Sequence, residues 1–243
     1  MNRRRRSTPA LAMLVALAAC SDGAATAPLA AVDAEVALGN AAAAPSFDDA
    51  FDAFDASRWV KQHHPLGRGV FDSANVVAAG GVIELVHPAG TVNGGEIKTV
   101  ARYGYGTYEA RIRTPAAPGS ISAFFLYQFG TRSNDELDIE IFNDGSRRVM
   151  FTVWVADRQK YNVTKVLPFD PSAAFHRYRI DWRAGRVEFL VDGVSMQVWS
   201  HKKNVPTNAM HVMANSWWPT WLTPAPLGSD QAMLIDQVVA TPR

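Results

Sequence analysis

The feature that most constrains this chain is a strict alternation of apolar and polar residues over several short segments. Residues 108–113 and residues 178–183 each alternate with a period of two. Successive side chains of a β-strand point to opposite faces, so this period predicts strands with one buried face. After residue 46 no long segment carries a helical period. The alternation therefore predicts an all-β domain.

The turns between these segments favour an antiparallel arrangement. Asp192-Gly193 separates two β-rich runs, and Asp-Gly in that position is a strong hairpin signal. Residues 121–129 and 210–218 are apolar and aromatic throughout, which is typical of strands buried on both faces. Glycine and proline recur between the segments. Together these patterns predict an antiparallel β-sandwich.

Composition and charge exclude several classes of protein. The chain has 243 residues, of which 48% are hydrophobic and 19% charged, so it can bury a sizeable core in one large domain. Four of its 24 basic residues form the run Arg3–Arg6; without residues 1–19, 20 basic residues face 23 acids, a net charge of −3. Nucleic acid is therefore not expected as a partner. The single cysteine, Cys20, excludes an intramolecular disulfide and a cysteine-based metal cluster.

The N-terminal segment has the features of a targeting signal. A basic run is followed by an apolar stretch too short to span a bilayer, which ends in Leu17-Ala18-Ala19-Cys20. This arrangement resembles a bacterial lipoprotein signal, which implies that residues 1–19 are removed and Cys20 is acylated. The membrane would then be reached through the lipid anchor alone, with the outer membrane favoured. An ordinary signal peptide of a secreted protein is the alternative. Residues 20–45 are an Ala-rich linker, and residues 46–243 are the predicted folded domain.

Three carboxylates recur at every second position near the middle of this domain. Glu136, Asp138 and Glu140 are separated by single apolar residues, so a strand places all three on one face. Like charges on neighbouring positions repel, which ties their pKa values together. Four residues of strand span ~13 Å, and two Glu side chains that lean together leave roughly 5 Å between carboxyls, the separation of a retaining glycosidase. A solvated acidic face without a catalytic role is the alternative.

The run Asp135–Phe142 resembles the active-site strand of glycoside hydrolase family 16, the family that contains the bacterial lichenases. Other segments resemble the family in the same order, namely residues 46–59, 95–99, 103–109, 122–127, 169–176, 181–182, 191–193 and 213–217. The resemblance covers nearly all of residues 46–240. It implies a concanavalin-like jelly roll of two curved antiparallel sheets, with a sugar cleft across the concave face and no required cofactor.

The resemblance implies a role for each acid. Glu136 matches the nucleophile, Glu140 matches the acid/base, and Asp138 would hold a proton or hydrogen bond that separates their pKa values. Sugar contacts are implied at Glu96, Lys98, Tyr127, Trp154, Asn215, Trp217 and, at a subsite, Asp72. Asp236 matches an Asp with which many relatives bind structural calcium, and a plain surface Asp is the alternative.

Departures from the family pattern affect the predicted specificity. Lys98 replaces an Arg of the lichenases, which removes a bidentate contact. Asn134 stands where lichenases often carry Trp, so a stacking platform is missing there. No residue is inserted between Asp138 and Glu140, which favours the lichenase and xyloglucan branch over laminarinases and agarases. The pair His63-His64 is interpreted as part of a loop.

The sequence therefore predicts a monomeric, retaining endo-β-glucanase that hydrolyses β-1,3-1,4- or β-1,4-linked glucans. A laminarinase or a xyloglucan-type endotransglycosylase on the same fold is an alternative, because hydrolysis and transglycosylation share one intermediate. A non-catalytic sugar-binding module is a further alternative. Such lectin-like relatives usually lose the acids, whereas Glu136, Asp138 and Glu140 are all present here.

Overall fold

A computed structural model of the chain describes residues 44–129 and 133–243. Within these ranges the chain forms strands and one short 3₁₀ helix, Ser73–Asn75. In chain order the strands are β1 (Phe47–Asp49), β2 (Trp59–Lys61), β3 (His64–Leu66), β4 (Gly69–Phe71), β5 (Val76–Ala79), β6 (Val82–His87), β7 (Gly95–Thr99), β8 (Gly106–Arg113), β9 (Ile121–Gln128), β10 (Asp135–Phe142), β11 (Arg148–Val155), β12 (Arg158–Val166), β13 (His176–Arg183), β14 (Arg186–Val191), β15 (Val194–Ser200), β16 (His211–Trp217) and β17 (Gln231–Pro242).

The strands of the described ranges form two large antiparallel sheets and a separate hairpin. The eight-stranded sheet has the order β15-β14-β13-β8-β17-β6-β5, with β1 paired to β17. The seven-stranded sheet has the order β12-β11-β10-β9-β16-β7-β2. The hairpin consists of β3 and β4. This architecture confirms the predicted all-β, jelly-roll sandwich.

The core lies between the two large sheets, because each sheet turns one apolar face inward. Leu137 and Ile139 of β10 and Ile180, Trp182 and Phe189 of the eight-stranded sheet are fully buried there. Burying one such side chain contributes about 1.5–3 kcal/mol, so the alternating strands stabilise the sandwich mainly through these faces. The outer face of the seven-stranded sheet is thereby left for polar and aromatic groups.

Two local predictions are confirmed by the strands and their turns. β14 and β15 pair antiparallel through Asp192 (φ 48°) and Gly193 (φ 77°), and positive φ at both central residues is the mark of a type I′ hairpin turn. β9 and β16, which cover the two apolar runs, are buried along most of both faces. They lie side by side in the middle of the seven-stranded sheet, which explains their composition.

The predicted signal peptide (residues 1–19), Cys20 and linker residues 21–43 lie outside the described ranges. The boundary between linker and domain at residues 45 and 46 stays a prediction. Within the described part of the chain, no helix combines the length and apolarity needed to cross a bilayer.

Candidate active site

The acidic row occupies the outer face of β10, as the alternation predicts. Leu137, Ile139 and Ile141 are fully buried in the core. Glu136 and Glu140 are partly exposed on the opposite face, and Asp138 between them is 5% exposed. One strand thus supplies apolar side chains to the core on one face and three carboxyl groups on the other.

Burial raises the pKa of all three carboxyl groups. Partial withdrawal from water raises the pKa of Glu136 to about 7, and the negative charge of Glu96 adds to this effect. Burial followed by repulsion from Glu136 raises the pKa of Glu140 to about 8. The pKa of Asp138 lies well above its usual range, because it is buried and faces two like charges. A protonated Asp138 donates to Glu136, and this hydrogen bond works against the rise in the pKa of Glu136.

The strand register places the predicted sugar contacts beside this row. Trp154, Glu136 and Tyr127 lie opposite one another on β11, β10 and β9. His211 of β16 extends that row on the far side of Tyr127. Burial, followed by the charge of Glu136, raises the pKa of Tyr127 to about 12, so its hydroxyl stays protonated.

A second cross-strand row starts at Asp138. Thr152 lies opposite it on β11, and Phe125, Met213 and Lys98 follow on β9, β16 and β7. Phe125 and Met213 are almost fully buried and pack together as an apolar patch beside the acids. Thr152 accepts a hydrogen bond from Asn162 Nδ2 at 3.0 Å, which fixes its hydroxyl beside Asp138.

The third row runs from Glu140 through Ala123 and Asn215 to Glu96. Glu96 is 2% exposed, and its carboxylate accepts from Asn215 Nδ2 at 2.9 Å. His64 Nε2 lies 3.0 Å from its other oxygen. The interpretation of His64 as a loop residue is therefore wrong: it begins β3 and faces Glu96. The sequence offered no signal for this contact, since the two residues are 32 positions apart on strands of different sheets.

Aromatic side chains border the rows. Trp154 and Trp217 are partly exposed on the same face as the acids. Phe129, which the sequence analysis missed, is 44% exposed and packs edge-on against Tyr127 with ring centroids 4.6 Å apart. The ammonium of Lys98 lies 4.8 Å from the centroid of the Phe129 ring, a cation–π distance. This outer face, where the resemblance implies a sugar cleft, combines flat apolar surfaces with polar groups, as sugar sites do.

Two predicted site residues lie away from these rows. Asp72 follows β4, and its carboxylate caps the short 3₁₀ helix by accepting from Ala74 N at 2.9 Å. Asp236 belongs to the eight-stranded sheet and pairs with Arg111 at 2.7 Å. Within the described ranges, no group of three or more His, Cys, Asp or Glu could hold a metal ion. The guanidinium on Asp236 argues against calcium there, and the calcium site stays a prediction.

Comparisons with known proteins identify a family for the chain. The family model for glycosyl hydrolases family 16 matches residues 69–231. The endo-1,3-1,4-beta-glycanase ExoK of Rhizobium meliloti is 28% identical over 189 residues, which are 73% of this chain and 70% of the relative. A beta-glucanase of Bacillus subtilis is 29% identical over 194 residues, 76% of this chain and 79% of the relative.

Solved structures share the fold. A prokaryotic beta-1,3-1,4-glucanase (lichenase) from a mouse hindgut metagenome superposes with a TM-score of 0.73 at 25% identity, covering 82% of this chain and 99% of that one. The beta-glucanase of Bacillus licheniformis gives a TM-score of 0.75 at 23% identity, with the same coverage. Because the family model spans more than half of the residues and the acidic row lies on the strand that resembles the family's active-site strand, the chain belongs to glycosyl hydrolases family 16.

Proposed function

We propose that this chain is a retaining endo-β-glucanase that hydrolyses β-1,3-1,4- or β-1,4-linked glucans. The observation that carries the proposal is the row Glu136, Asp138 and Glu140 on the open face of β10, with pKa values raised by burial and mutual repulsion. The named β-1,3-1,4-glucanases among its relatives support the substrate class. Like charges on neighbouring positions of one strand face cost stability, and catalysis gives a reason to keep these acids.

The pKa order supports one assignment of roles. Near pH 7 Glu136, with a pKa of about 7, is partly ionised, whereas Glu140, with a pKa of about 8, is mostly protonated. The ionised Glu136 attacks the anomeric carbon, and Glu140 donates its proton to the leaving oxygen. Asp138 keeps its proton and donates it in a hydrogen bond to Glu136. This bond keeps the pKa of Glu136 below that of Glu140.

The same geometry lets Glu140 change its role in the second step. The charge of Glu136 is one cause of the raised pKa of Glu140. Once Glu136 is bound covalently to the sugar, that charge is gone and the pKa of Glu140 falls. Glu140 then acts as a base that activates water, which releases the product with retained configuration.

Two other activities use the same intermediate or the same fold. A laminarinase differs in linkage preference, and a xyloglucan-type endotransglycosylase passes the sugar to an acceptor instead of water. Product sizing with and without oligosaccharide acceptors separates hydrolysis from transfer. A non-catalytic sugar-binding module is disfavoured, because the acidic row is complete.

The cellular setting is part of the proposal. The run Arg3–Arg6, the short apolar stretch and Cys20 support a lipid-anchored protein of the bacterial cell envelope, with the outer membrane favoured over the inner membrane; a secreted protein is the alternative. We propose that the enzyme acts there as a monomer. Mass spectrometry of the mature N-terminus tests the anchor, since acylated Cys20 would be its first residue. Light scattering of the domain tests the monomer.

A substrate panel tests the function. Mixed-linkage glucan, xyloglucan, laminarin and agarose are each incubated with the enzyme and assayed for new reducing ends. Cleavage of mixed-linkage glucan with the β-anomer of the product appearing first in NMR spectra is expected. Initial α-product would contradict the retaining mechanism, and binding without cleavage across the panel would favour the sugar-binding module.

A further inference from the structure

His64 stands over the cleft at the end of the row that starts at Glu140. Its side chain is 39% exposed, and its ring packs edge-on against the buried Phe71 with centroids 5.3 Å apart. Nε2 lies 3.0 Å from Glu96 Oε1, and Nδ1 lies 3.1 Å from the carbonyl oxygen of Pro65 on the exposed side. The imidazole is therefore held at a defined angle, with one nitrogen inward and one outward.

Both ring nitrogens face acceptors, so both need a proton. The imidazolium form supplies the two N–H groups, and the Glu96 carboxylate beside it raises the pKa of His64. Lys98 on the same strand opposes this effect by repulsion. His63, just before β3, and Asp72, just after β4, lie 3.6 Å apart at the base of the same hairpin. The raised pKa of His64 therefore widens the pH range over which it forms an ion pair with Glu96.

Glu96 itself is poorly placed to touch a sugar. Its side chain is 3% exposed, because His64 covers one carboxylate oxygen and Asn215 the other. Asn215 Oδ1 is buried as well and has no hydrogen-bond partner within the described part of the chain. A sugar that approaches this end of the cleft meets the outward edge of His64 before it meets Glu96.

The β3–β4 hairpin that carries His64 also forms a wall against a predicted stacking residue. Gly67, at the hairpin turn, has φ +61°, and an added Cβ there would lie 2.9 Å from the indole of Trp217. Arg68 fastens the hairpin to the segment after β16 through bonds to the carbonyl oxygens of Thr220 (2.6 Å) and Leu222 (2.9 Å). His64 and Trp217 therefore belong to one rigid wall.

We propose that His64 contacts substrate directly: its Nδ1–H donates to a hydroxyl of a sugar remote from the cleaved bond in place of the carbonyl oxygen of Pro65, and Glu96 and Asn215 are positioning residues. The inference rests on the proposed glucanase function and adds a specificity residue to it. Glu96 lies three strands from Glu140, about 14 Å at ~4.8 Å per strand, so the contact falls outside the sugar that reacts. Loss of His64 therefore weakens binding of long substrates and leaves the chemical step intact.

The kinetic test compares His64→Ala with wild type on mixed-linkage glucan and on a short aryl β-glucoside. For the polysaccharide, KM is expected to rise about tenfold, as for the loss of one charged hydrogen bond, with kcat changed less than about threefold. For the short substrate both constants stay unchanged. His64→Gln, which keeps one donor, is expected to reverse part of the rise in KM. His201→Ala is the matched control, because His201 is an exposed histidine that directly follows β15.

A spectroscopic test reports on the pair itself. In ¹⁵N NMR spectra near pH 6 both His64 nitrogens are expected to be protonated, and Glu96→Gln is expected to lower the pKa of His64. Addition of a mixed-linkage tetrasaccharide to an inactive Glu136→Gln variant should shift the His64 resonances. A structural role alone would not produce that shift.

The outcomes separate this inference from the proposed function. If wild type cleaves mixed-linkage glucan but His64→Ala has the same KM, or loses kcat equally on long and short substrates, the inference is overturned while the function stands. If wild type neither cleaves nor binds any glucan of the panel, the function fails and the inference falls with it.

Discussion

The outer faces of the two sheets both carry carboxylates, but the partners of these carboxylates differ. On the eight-stranded sheet four acids each pair with an arginine at 2.6–2.9 Å, namely Glu109 with Arg177, Asp236 with Arg111, Asp181 with Arg179 and Glu188 with Arg186. On the seven-stranded sheet no arginine of the described ranges pairs with Glu136, Asp138 or Glu140.

The pKa of Glu differs between the two sheets, whereas burial raises the pKa of Asp236 even beside Arg111. The pKa of Glu188 is lowered by hydrogen bonds from Ser195 and Arg186, whereas the pKa of Glu140 is raised to about 8 by burial and by Glu136. The same residue type thus titrates in opposite directions on the two sheets. The raised pKa of Glu140 supports the catalytic role proposed for it, because strongly shifted pKa values cluster at functional sites.

The largest expected effect breaks the acidic row itself. Glu136→Gln and Glu140→Gln each remove one carboxylate at constant size, and each is expected to lower kcat/KM on polysaccharide by about 10²–10⁴-fold. Circular dichroism should show an unchanged fold. A variant that keeps more than a tenth of wild-type activity would contradict the catalytic assignment.

Azide distinguishes the two roles. In Glu136→Ala, azide enters the space left below the anomeric carbon and yields an α-glycosyl azide. In Glu140→Ala, a substrate with a good leaving group still forms the covalent intermediate, and azide then yields a β-glycosyl azide. Products of the same configuration would show that nucleophile and acid/base are assigned wrongly.

The second expected effect is on the pH profile. kcat/KM requires an ionised Glu136 and a protonated Glu140, so it rises through an apparent pKa near 7 and falls through one near 8. Activity then drops about tenfold per pH unit beyond either limb. Glu140→Ala, assayed with an activated aryl glucoside, should lose the alkaline limb. A wild-type profile that stays flat from pH 5 to 9 would refute the raised pKa values.

The third expected effect contrasts the stability of the two faces. The pKa of Glu140 is about 8 in the folded chain, whereas its ordinary pKa is 4.5. Between these pH values the unfolded chain releases the proton more readily than the folded chain, so stability is lost as pH rises. Glu140→Gln should therefore raise Tm at pH 8 by roughly 5 °C and change it little at pH 4.5.

Arg179→Met is the counterpart on the eight-stranded sheet. The substitution leaves the buried Asp181 without its bidentate partner, so the free energy of unfolding is expected to fall by about 1–3 kcal/mol. Each kcal/mol lowers Tm by roughly 2–4 °C. Arg177→Met, at a more exposed pair with Glu109, is the matched control with a smaller loss. Thermal unfolding with an activity assay checks both. If Arg179→Met lost more activity than its unfolded fraction explains, the eight-stranded sheet would also contribute to activity, which contradicts the contrast between the two faces.

The smallest expected effect concerns calcium. Because Arg111 already neutralises Asp236, addition of calcium or of a chelator is expected to change Tm by less than about 1 °C. A clear rise with calcium would instead support the cation site predicted at Asp236. Arg111→Ser then tests whether removal of the guanidinium creates calcium-dependent stability.

Residues with a local pattern were predictable from the sequence, and residues joined by long-range packing were not. The alternation around Leu137 and Ile139 is enough to place the acids on one face, because strand period is a local property. His64 and Glu96 meet because β3 turns back over β7, and no short segment encodes that approach. The Arg111–Asp236 pair likewise depends on the register of β8 and β17, which lie 125 residues apart at this contact. Phe129 was missed because an aromatic residue at the end of an apolar and aromatic run is interpreted as part of the core.

The position of β16 has a consequence for the order in which the enzyme folds. β16 (His211–Trp217) is inserted between β9 and β7, so the half of the cleft with Glu140 joins the half with Glu96 through a segment close to the end of the chain. Until that segment is synthesised and inserted, β9 and β7 have unpaired edges that other chains can join. Recovery of activity during refolding should thus coincide with the slow, non-local step and report completion of the whole sheet. Truncation before His211 should give an aggregation-prone chain rather than a weak enzyme.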